Sequence, residues 1–331
     1  MKKLFFSLVV AMIATTATFA QTSLVATLTH GDDVSMYYGT YALRDAYQAA
    51  VSGDVINLSG GTFQAVNINK AITLRGAGID AASPTFISGY FTINIPTEDT
   101  GRLSMEGIKC TEQIIMDGTF SNAYFLKCKY KSIMFDSRSN IKNIMFADCK
   151  ITDHIVLYGA TTAQFINSYI HAIDTDVNTS VSFINCIIRP SYGYSFSDIS
   201  CSQLLNCILI HSNTSYTPLP STSSATNCVL VGSDVNIFSE SQSSTNCISG
   251  VSFADMFVDY TGNYTDEQTF ELTSTAQTTY LGTDGTQVGI YGGLLPYTST
   301  PSYPQITTMN VANKTTADGK LSVEIEVSAA Q

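Results

Sequence analysis

One short segment recurs seven times along the middle of the chain. Each copy is four residues long. In most copies the first residue is apolar and the last is Cys or Ser, and the residue just before the last is often Asn. The copies are Phe125–Cys128, Phe146–Cys149, Phe165–Ser168, Phe183–Cys186, Leu204–Cys207, Ala225–Cys228 and Ser244–Cys247. Measured at the Cys or Ser, successive copies are 21, 19, 18, 21, 21 and 19 residues apart. A period of this kind predicts a solenoid in which each copy belongs to one coil.

The length and composition of the repeat separate the possible solenoids. A unit of about 20 residues is too short for helix-pair repeats, which leaves leucine-rich repeats or a parallel β-helix. The coils lack regular Leu positions and are rich in Ser, Thr, Ile, Val and aromatic residues, with period-2 alternation such as Ile144-Met145-Phe146. We therefore predict an all-β chain that forms a right-handed parallel β-helix with about 20 residues per coil.

The repeated residues have predictable places in such a coil. Phe and Cys should point inward on either side of a bend, and Asn tolerates the left-handed backbone that the bend requires. Because coils stack about 4.8 Å apart, the side chains at one position can form a ladder. The predicted ladder residues are Cys128, Cys149, Cys186, Cys207, Cys228 and Cys247, with Asn167, Asn185, Asn206, Asn227 and Asn246.

The residues before the repeat predict a cap. The apolar residues Ala42, Leu43, Ala46, Tyr47, Ala50 and Val51 recur at helical spacing, and Gly53 should stop a helix spanning about residues 41–52. A solenoid needs such a plug because its terminal coil otherwise exposes core and strand edges.

This region and the repeat together resemble a known superfamily. The stretches are Leu43–Val51, Gly53-Asp54-Val55-Ile56, Gly61-Thr62-Phe63 and Ile72–Gly78, followed by the coils. They are similar to pectate-lyase-like right-handed β-helices, in which a helix plugs the coil ahead of a Gly-Asp-x-Ile strand. The resemblance implies the fold. It does not imply one activity, because the superfamily includes lyases, hydrolases, adhesins and non-catalytic scaffolds.

The termini divide the chain further. Lys2 and Lys3, the apolar run from Leu4 to Ile13 and the small residues Thr18 and Ala20 predict a signal peptide over residues 1–20. We expect the β-helix to span residues 21–297. A Pro-rich linker and a β-hairpin tail should follow over residues 298–331, and Gly289–Pro296 should fold back against the last coils.

Charge and export limit the classes of partner. The chain is 44% apolar and 13% charged, with a net charge of −11, which excludes a disordered chain and argues against binding nucleic acid. No apolar run is long enough to span a membrane. We expect an exported monomer in the periplasm, at the cell surface or outside the cell, with a polysaccharide or a cell-envelope component as its partner.

The cysteines admit two interpretations. Eight Cys in an exported protein would suggest disulfides, but six of them share one repeat position and should line a single inward column. Buried free thiols and one or more bridges between neighbouring coils both stay open, and Cys110 and Cys201 lie off the column. A single column cannot present four thiolates tetrahedrally, so we expect no metal there.

The candidate ligand-binding residues lie just beyond the repeat Cys or Ser. The coils lack the motifs that the resemblance would imply for a polygalacturonase or a classical pectate lyase, so no residue is assigned a catalytic role. A basic, partly aromatic column does occur there, and we predict that its members face outward: Lys131, Lys150, Tyr169, His171 and Arg189.

Three functions are compatible with that column. It could be a solvated face, it could hold a sulfated or uronic sugar, or Arg189 or Lys131 with His171 or Tyr169 could carry out proton transfer. We expect a non-catalytic protein that binds glycan or serves as a surface adhesin or scaffold. The alternatives are a divergent lyase or glycoside hydrolase acting on acidic polysaccharide, or a purely structural module. No cofactor is expected, and Ca²⁺ is implied only for a lyase.

Overall fold

The chain folds into a right-handed parallel β-solenoid of about eight turns, which confirms the predicted fold class. The computed structural model describes residues 24–159, 161–175, 179–189, 199–200, 202–211, 218–260, 262–263, 265, 268–311, 314–316, 318–320 and 322–328. The predicted signal peptide and Cys201 lie outside the described residues.

The described chain contains short strands and three helices. The first strands are β1 (Val25–His30), β2 (Asp33–Tyr38), β3 (Val55–Leu58), β4 (Gly61–Gln64), β5 (Thr73–Arg75), β6 (Thr85–Ser88), β7 (Phe91–Ile93), β8 (Leu103–Glu106), β9 (Ile108–Met116), β10 (Thr119–Leu126), β11 (Lys129–Phe135), β12 (Asn140–Ala147) and β13 (Lys150–Leu157). The next are β14 (Thr162–Ile166), β15 (Tyr169–Ile170), β16 (Ile173–Thr175), β17 (Ser180–Ile184), β18 (Ile187–Ile188), β19 (Ser202–Leu205), β20 (Ile208–Ile210), β21 (Ser224–Thr226), β22 (Val229–Val231), β23 (Ser243–Thr245), β24 (Ile248–Val251), β25 (Gln305–Val311) and β26 (Val323–Ser328). The helices are α1 (Ala42–Ala49), α2 (Phe253–Met256) and α3 (Ser274–Thr279).

Two long sheets form the walls of the solenoid. The first sheet has the order β2-β1-β3-β5-β8-β10-β12-β14-β17-β19-β21-β23. The second sheet has the order β24-β22-β20-β18-β15-β13-β11-β9-β6-β4, with β16 paired to β13 and β7 paired to β9. From β3 onward, neighbouring strands in both sheets are parallel, as expected when each coil repeats the path of the one before.

The Phe positions of the repeat form a continuous stack inside the coils. Phe125, Phe146, Phe165 and Phe183 are in register on neighbouring strands, and none exposes its side chain to solvent. Their successive ring centroids are 4.8, 4.8 and 5.2 Å apart, and the rings are nearly parallel. Because the coil spacing sets the ring spacing, one residue type at one repeat position fills the core of four coils.

At the bend between the two sheets, one residue in each of the seven copies of the repeat has a left-handed backbone conformation. Lys127 and Asp148 have φ of 51° and 54°, and the Asn residues of the later coils have φ of 46° to 56° at positions 167, 185, 206, 227 and 246. The side chains at four of these positions, 127, 148, 167 and 206, bond to the C-terminal part of the chain. Asn167 donates to the carbonyls of Ile290 and Gly292, at 2.7 and 2.8 Å.

The repeat cysteines are free thiols that line the inside of the bend. Cys128, Cys149, Cys186, Cys207 and Cys228 are fully buried, and Cys247 in the last coil is partly exposed. Thiols donate to carbonyls of the preceding coil, as from Cys149 to Phe125 at 3.2 Å and from Cys207 to Phe183 at 3.4 Å. Burial raises the pKa of the Cys149 and Cys207 thiols well above their usual range, which keeps them protonated.

The N-terminal cap consists of a helix and a hairpin. Helix α1 buries Ala42, Leu43, Ala46 and Tyr47 against the first coil. The assignment of Val51 to this apolar face was wrong, because Val51 lies beyond the end of the helix and is exposed. It ends at Ala49, three residues before the predicted boundary, because Ala50 is already extended with ψ of 153°. Strand β1 pairs antiparallel with both β2 and β3, so a hairpin that the sequence analysis did not predict extends the first sheet.

Lys70 takes the place of a glycine cap at the end of α1. Its Nζ donates to the carbonyl of Tyr47 at 2.9 Å and to that of Ala50 at 2.7 Å. The last carbonyl groups of a helix have no N–H donors within the helix, and Lys70 supplies a donor to carbonyls at this end.

We expect Lys70→Met to lower the free energy of unfolding by about 1–3 kcal/mol, because it removes charge-assisted hydrogen bonds and keeps the apolar stem. Urea unfolding followed by circular dichroism would measure the change. Lys320→Met, at an exposed lysine of the tail, is the control and should change little. Equal stability of the two variants would contradict this role for Lys70.

The C-terminal part of the chain folds back over the second sheet. Outward-pointing Tyr169, Ile187, Ile208 and Val229 form a second buried cluster there. It is covered by Phe257, Tyr260, Phe270, Leu272, Val288 and Ile290. The outer face of the later coils is therefore a second core rather than a solvated surface.

Residues 283–304, which we call the strap, then run along the column of bends toward the N-terminal end. Thr283 bonds to Asn206, Lys127 donates to the Thr300 carbonyl at 2.7 Å, and Glu106 accepts from the Ser302 amide at 2.6 Å. Tyr303 donates to the Gly76 carbonyl. Residues 298–304, for which a linker was predicted, lie against the coils, and β25 and β26 follow as an antiparallel hairpin.

Candidate functional site

The two lysines of the predicted basic column interact with groups on their own chain. Lys131 is about half exposed, and its Nζ lies 3.4 Å from Oε2 of Glu112. The Nζ of Lys150 lies 5.5 Å from the centroid of the Tyr297 ring, which belongs to the strap. Lys150 was expected to contact a ligand on this surface, and the strap lies on the same surface.

Tyr169 does not lie on an open surface. Its side chain points outward as predicted, but it is fully buried and stacks on Phe270 with ring centroids 4.7 Å apart. The repeat gives the direction of the side chain correctly and cannot reveal that a segment 100 residues later covers it. Tyr169 is thus a packing residue of the second core.

His171 and Arg189 are brought together on adjacent coils. Nη1 of Arg189 lies 2.7 Å from Nε2 of His171, while Nδ1 of His171 lies 2.9 Å from the Thr152 carbonyl. Since a guanidinium only donates, Nε2 is the acceptor and Nδ1 carries the proton. Burial, followed by the charge of Arg189, lowers the pKa of His171, which favours the neutral ring that this geometry requires.

This pair is attached to the fold-back segment. Arg189 also interacts with Tyr260, whose ring is buried in the second core. Lys131 lies on β11, which is separated from β15 by β13, and it does not join the cluster. The structure thus brings two of the five predicted residues into direct contact, with the lone pair of His171 bonded to Arg189.

A different surface offers an open groove. It lies on the outer face of the first sheet and has a volume of about 480 Å³. One outward column crosses it in register over five successive coils, with one residue from each of β10, β12, β14, β17 and β19: Tyr124, Met145, Gln164, Ser182 and Gln203.

Left-handed Asn residues inside the strands shape one side of this groove. Asn122 and Asn143 have φ of 65° and 54° in the middle of β10 and β12, where a regular strand would be extended. Nδ2 of Asn143 donates to Oδ1 of Asn122 at 3.4 Å, and the backbone N–H of Asn143 donates to Oγ1 of Thr162 at 3.0 Å. The turn in each strand redirects the chain and so bends the sheet surface beside the outward column.

The lining of the groove carries no formal charge. Its eleven residues are Tyr124, Asn143, Ile144, Met145, Thr162, Ala163, Gln164, Ser180, Val181, Ser182 and Gln203. This composition stands out in a chain with 27 Asp and Glu residues. Beside the lining, the guanidinium carbon of Arg102 lies 5.3 Å from the Tyr124 ring centroid.

Comparison with known proteins gives no relative. The chain matches no protein-family model, no curated protein and no solved structure. The function has to be argued from the geometry of the groove.

The sequence contains a simple signal for this site. Each column residue stands directly before the inward residue of its repeat, as Gln164 stands before Phe165. The predicted ligand-binding residues all follow the Cys or Ser of the repeat, and these positions lie on or next to strands of the second sheet. Charged residues drew attention to that sheet, whereas the groove is built from uncharged ones.

Proposed function

We propose that this chain is a non-catalytic glycan-binding protein of the pectate-lyase-like β-helix type. Its groove on the first sheet would hold an uncharged stretch of polysaccharide. The observation that carries the proposal is the open groove lined by eleven uncharged residues, in which one phenol, one thioether, two amides and one hydroxyl form a column across five coils.

The chemistry of the lining suits a ligand with many hydroxyl groups. The amides of Asn143, Gln164 and Gln203 both donate and accept hydrogen bonds, as do the hydroxyls of Thr162, Ser180 and Ser182. Tyr124 and Met145, which are partly exposed, add apolar surface on which the C–H face of a sugar ring can pack. Five coils span about 20 Å, which is long enough for several sugar units in a row.

The same lining supports binding rather than turnover. Glycoside hydrolysis uses a pair of carboxyl groups, and proton abstraction requires a base whose pKa lies near the working pH. The groove lining contains neither a carboxylate nor an imidazole.

Export is part of the proposal. Residues 1–20 have the pattern of a signal peptide, and their removal would take the net charge from −11 to −13 through the loss of Lys2 and Lys3. No helix in the described part of the chain is both long enough and apolar enough to cross a membrane. From the signal-peptide pattern alone we propose a location in the periplasm, at the cell surface or outside the cell, with a polysaccharide partner.

A panel of soluble polysaccharides tests the proposal. The panel should contain neutral glucans, mannans and xylans beside uronate-containing and sulfated chains, with binding measured by calorimetry. We expect binding to a neutral member that changes little with salt, because no charged pair forms in the groove. Tyr124→Ala and Gln164→Ala should each weaken binding by about tenfold or more, about 1.4 kcal/mol.

Tyr90→Ala is the matched control. Tyr90 is 68% exposed and lies between β6 and β7, outside the groove lining, so its loss should leave binding unchanged. The proposal fails if no neutral polysaccharide binds or if Tyr124→Ala binds as well as wild type.

The competing hypothesis is a lyase or hydrolase at His171 and Arg189, the two predicted column residues whose side chains lie 2.7 Å apart. The same panel separates the two. Unsaturated products or new reducing ends released by wild type but not by His171→Ala would replace the binding proposal with an enzymatic one.

A further inference from the structure

The N-terminal end of the first sheet is an open strand edge. In the described part of the chain, β2 is the last strand of the sheet and pairs with β1 on one side only. Five of its six residues are exposed, and the exception is Tyr37. The backbone groups on the free side of β2 can therefore pair with another strand.

This edge also presents a stripe of apolar side chains. Val34, Met36 and Tyr38 are 62%, 55% and 61% exposed, and their spacing of two places them on one face of the strand. A single exposed apolar residue is ordinary on a protein surface, but three in a row on an unpaired edge are not. The strand contains neither Lys nor Pro, the residues that commonly protect such edges.

The sequence of β2 is complementary to itself. If two copies pair antiparallel about a twofold axis at Met36, each Met36 faces the same residue of the other copy. Val34 then faces Tyr38, Ser35 faces Tyr37 and Asp33 faces Gly39. Pairs of an aromatic with a β-branched residue are favourable between strands, and this register places no two like charges opposite each other.

Charge also favours a second copy at this edge. Two copies of an acidic chain repel, so they can meet only where acidic groups are few. Asp33 is the one charged residue of β2, and the register puts the two Asp33 side chains six residues apart along the pair, about 20 Å. That distance exceeds the Debye length of about 8 Å at physiological salt, so the repulsion between them is screened.

We infer that two copies associate through antiparallel pairing of their β2 strands and form a twofold dimer joined across the first sheet. Each copy contributes the same strand to the interface, so the free edges of both β2 strands are used up when two copies pair. Association therefore stops at two. This departs from the monomer expected from the sequence. It is independent of glycan binding, since the groove lies on coils distant from β2 in the order of the sheet.

Light scattering after size-exclusion chromatography over a concentration series tests the dimer. The sample is the chain from Gln21 onward with any purification tag at its C-terminus. We expect the mass to rise to that of two chains and no further. A mass that stays at one chain, or one that keeps rising as in an open filament, would overturn the inference.

Met36→Lys should shift the monomer–dimer equilibrium toward monomer by at least tenfold, because it sets two ammonium groups opposite each other at the axis. Tyr90→Lys puts the same charge at an equally exposed aromatic residue away from β2 and should leave the dimer intact. Dissociation caused equally by both variants, or by neither, would contradict an interface at β2. Circular dichroism confirms that each variant is folded.

Cysteine crosslinking tests the register itself. In a Cys247→Ser background, which removes the one described thiol that is not buried, Met36→Cys should form a disulfide-linked dimer on mild oxidation. Residues that face each other on antiparallel strands have Cα atoms about 4.5–5.5 Å apart, within the range that a disulfide spans. Tyr38→Cys alone should crosslink far less, because it faces Val34. Equal crosslinking at both positions would overturn the register.

Discussion

Replacing Phe165 with alanine should lower the free energy of unfolding by about 3–5 kcal/mol, the range typical of a buried Phe truncated to Ala. Phe165 is fully buried between Phe146 and Phe183, with ring centroids 4.8 and 5.2 Å away. The ring is held from both sides by neighbouring coils, so the core cannot collapse into the space that it leaves. The variant also loses two ring-to-ring contacts.

Urea unfolding followed by circular dichroism measures this change, and Gln164→Ala is the control. Gln164 is the preceding residue on the same strand and points into the groove, so its truncation leaves the core intact. The two variants should have opposite profiles, since Phe165→Ala loses stability while Gln164→Ala loses glycan binding. A loss below about 1 kcal/mol for Phe165→Ala would contradict a close-packed stack.

The second large effect that we expect is a change in the free energy of unfolding when Asp148 is replaced by Asn, and its size should depend on pH. Asp148 occupies the bend position that later coils fill with Asn, and it accepts a hydrogen bond from the backbone of Thr298 in the strap. Burial raises the pKa of Asp148 to about 7, although the charge of Lys127 acts in the opposite direction. Its carboxylate form is therefore destabilised by folding, unlike that of most surface acids.

The sign of the pH dependence follows from the raised pKa. Below about pH 4 the Asp148 carboxyl is protonated in both the folded and the unfolded chain, so it does not lower the free energy of unfolding. As the pH rises from about 4 to about 7, only the unfolded chain loses the proton, and stability falls until the full cost is reached above pH 7. The shift corresponds to about 4 kcal/mol at most, and solvent at the partly exposed carboxyl should reduce this to about 2 kcal/mol.

Asp148→Asn removes this cost, suits the left-handed bend and retains an acceptor for Thr298. We expect it to match wild type near pH 4 and to exceed it by about 2 kcal/mol near pH 8, measured by urea unfolding at both values. Asp234→Asn, at an exposed carboxyl, is the control and should show no such difference. Equal stability of wild type and Asp148→Asn at the higher pH would contradict a destabilised carboxylate.

The repeat was sufficient to predict the coil. A period near 20 residues with Phe, Asn and Cys at fixed offsets predicts the inward stack, the left-handed bend and the inward column of cysteines. Each of these depends only on contacts between a coil and the next. The cap helix was predictable for a similar reason, because its apolar spacing is local.

The candidate sites were less predictable because they depend on contacts distant in sequence. Tyr169 and Arg189 were correctly assigned to the outer face, yet Phe270 and Tyr260 from the fold-back segment cover that face. The groove was missed because its residues carry no charge and because left-handed Asn122 and Asn143 give no clear signal within a strand pattern. Edge exposure at β2 likewise depends on a hairpin that was not predicted.

The sequence alone therefore determined the solenoid, its period and the residues that fill it, because stacking repeats one local pattern from coil to coil. Only the tertiary structure decided which outer face is open. The strap follows the bends of the coils for about 20 residues, and its course depends on individual bonds such as those of Lys127 with Thr300 and of Asn167 with Ile290. Those bonds join residues more than 120 positions apart, and no periodicity encodes them.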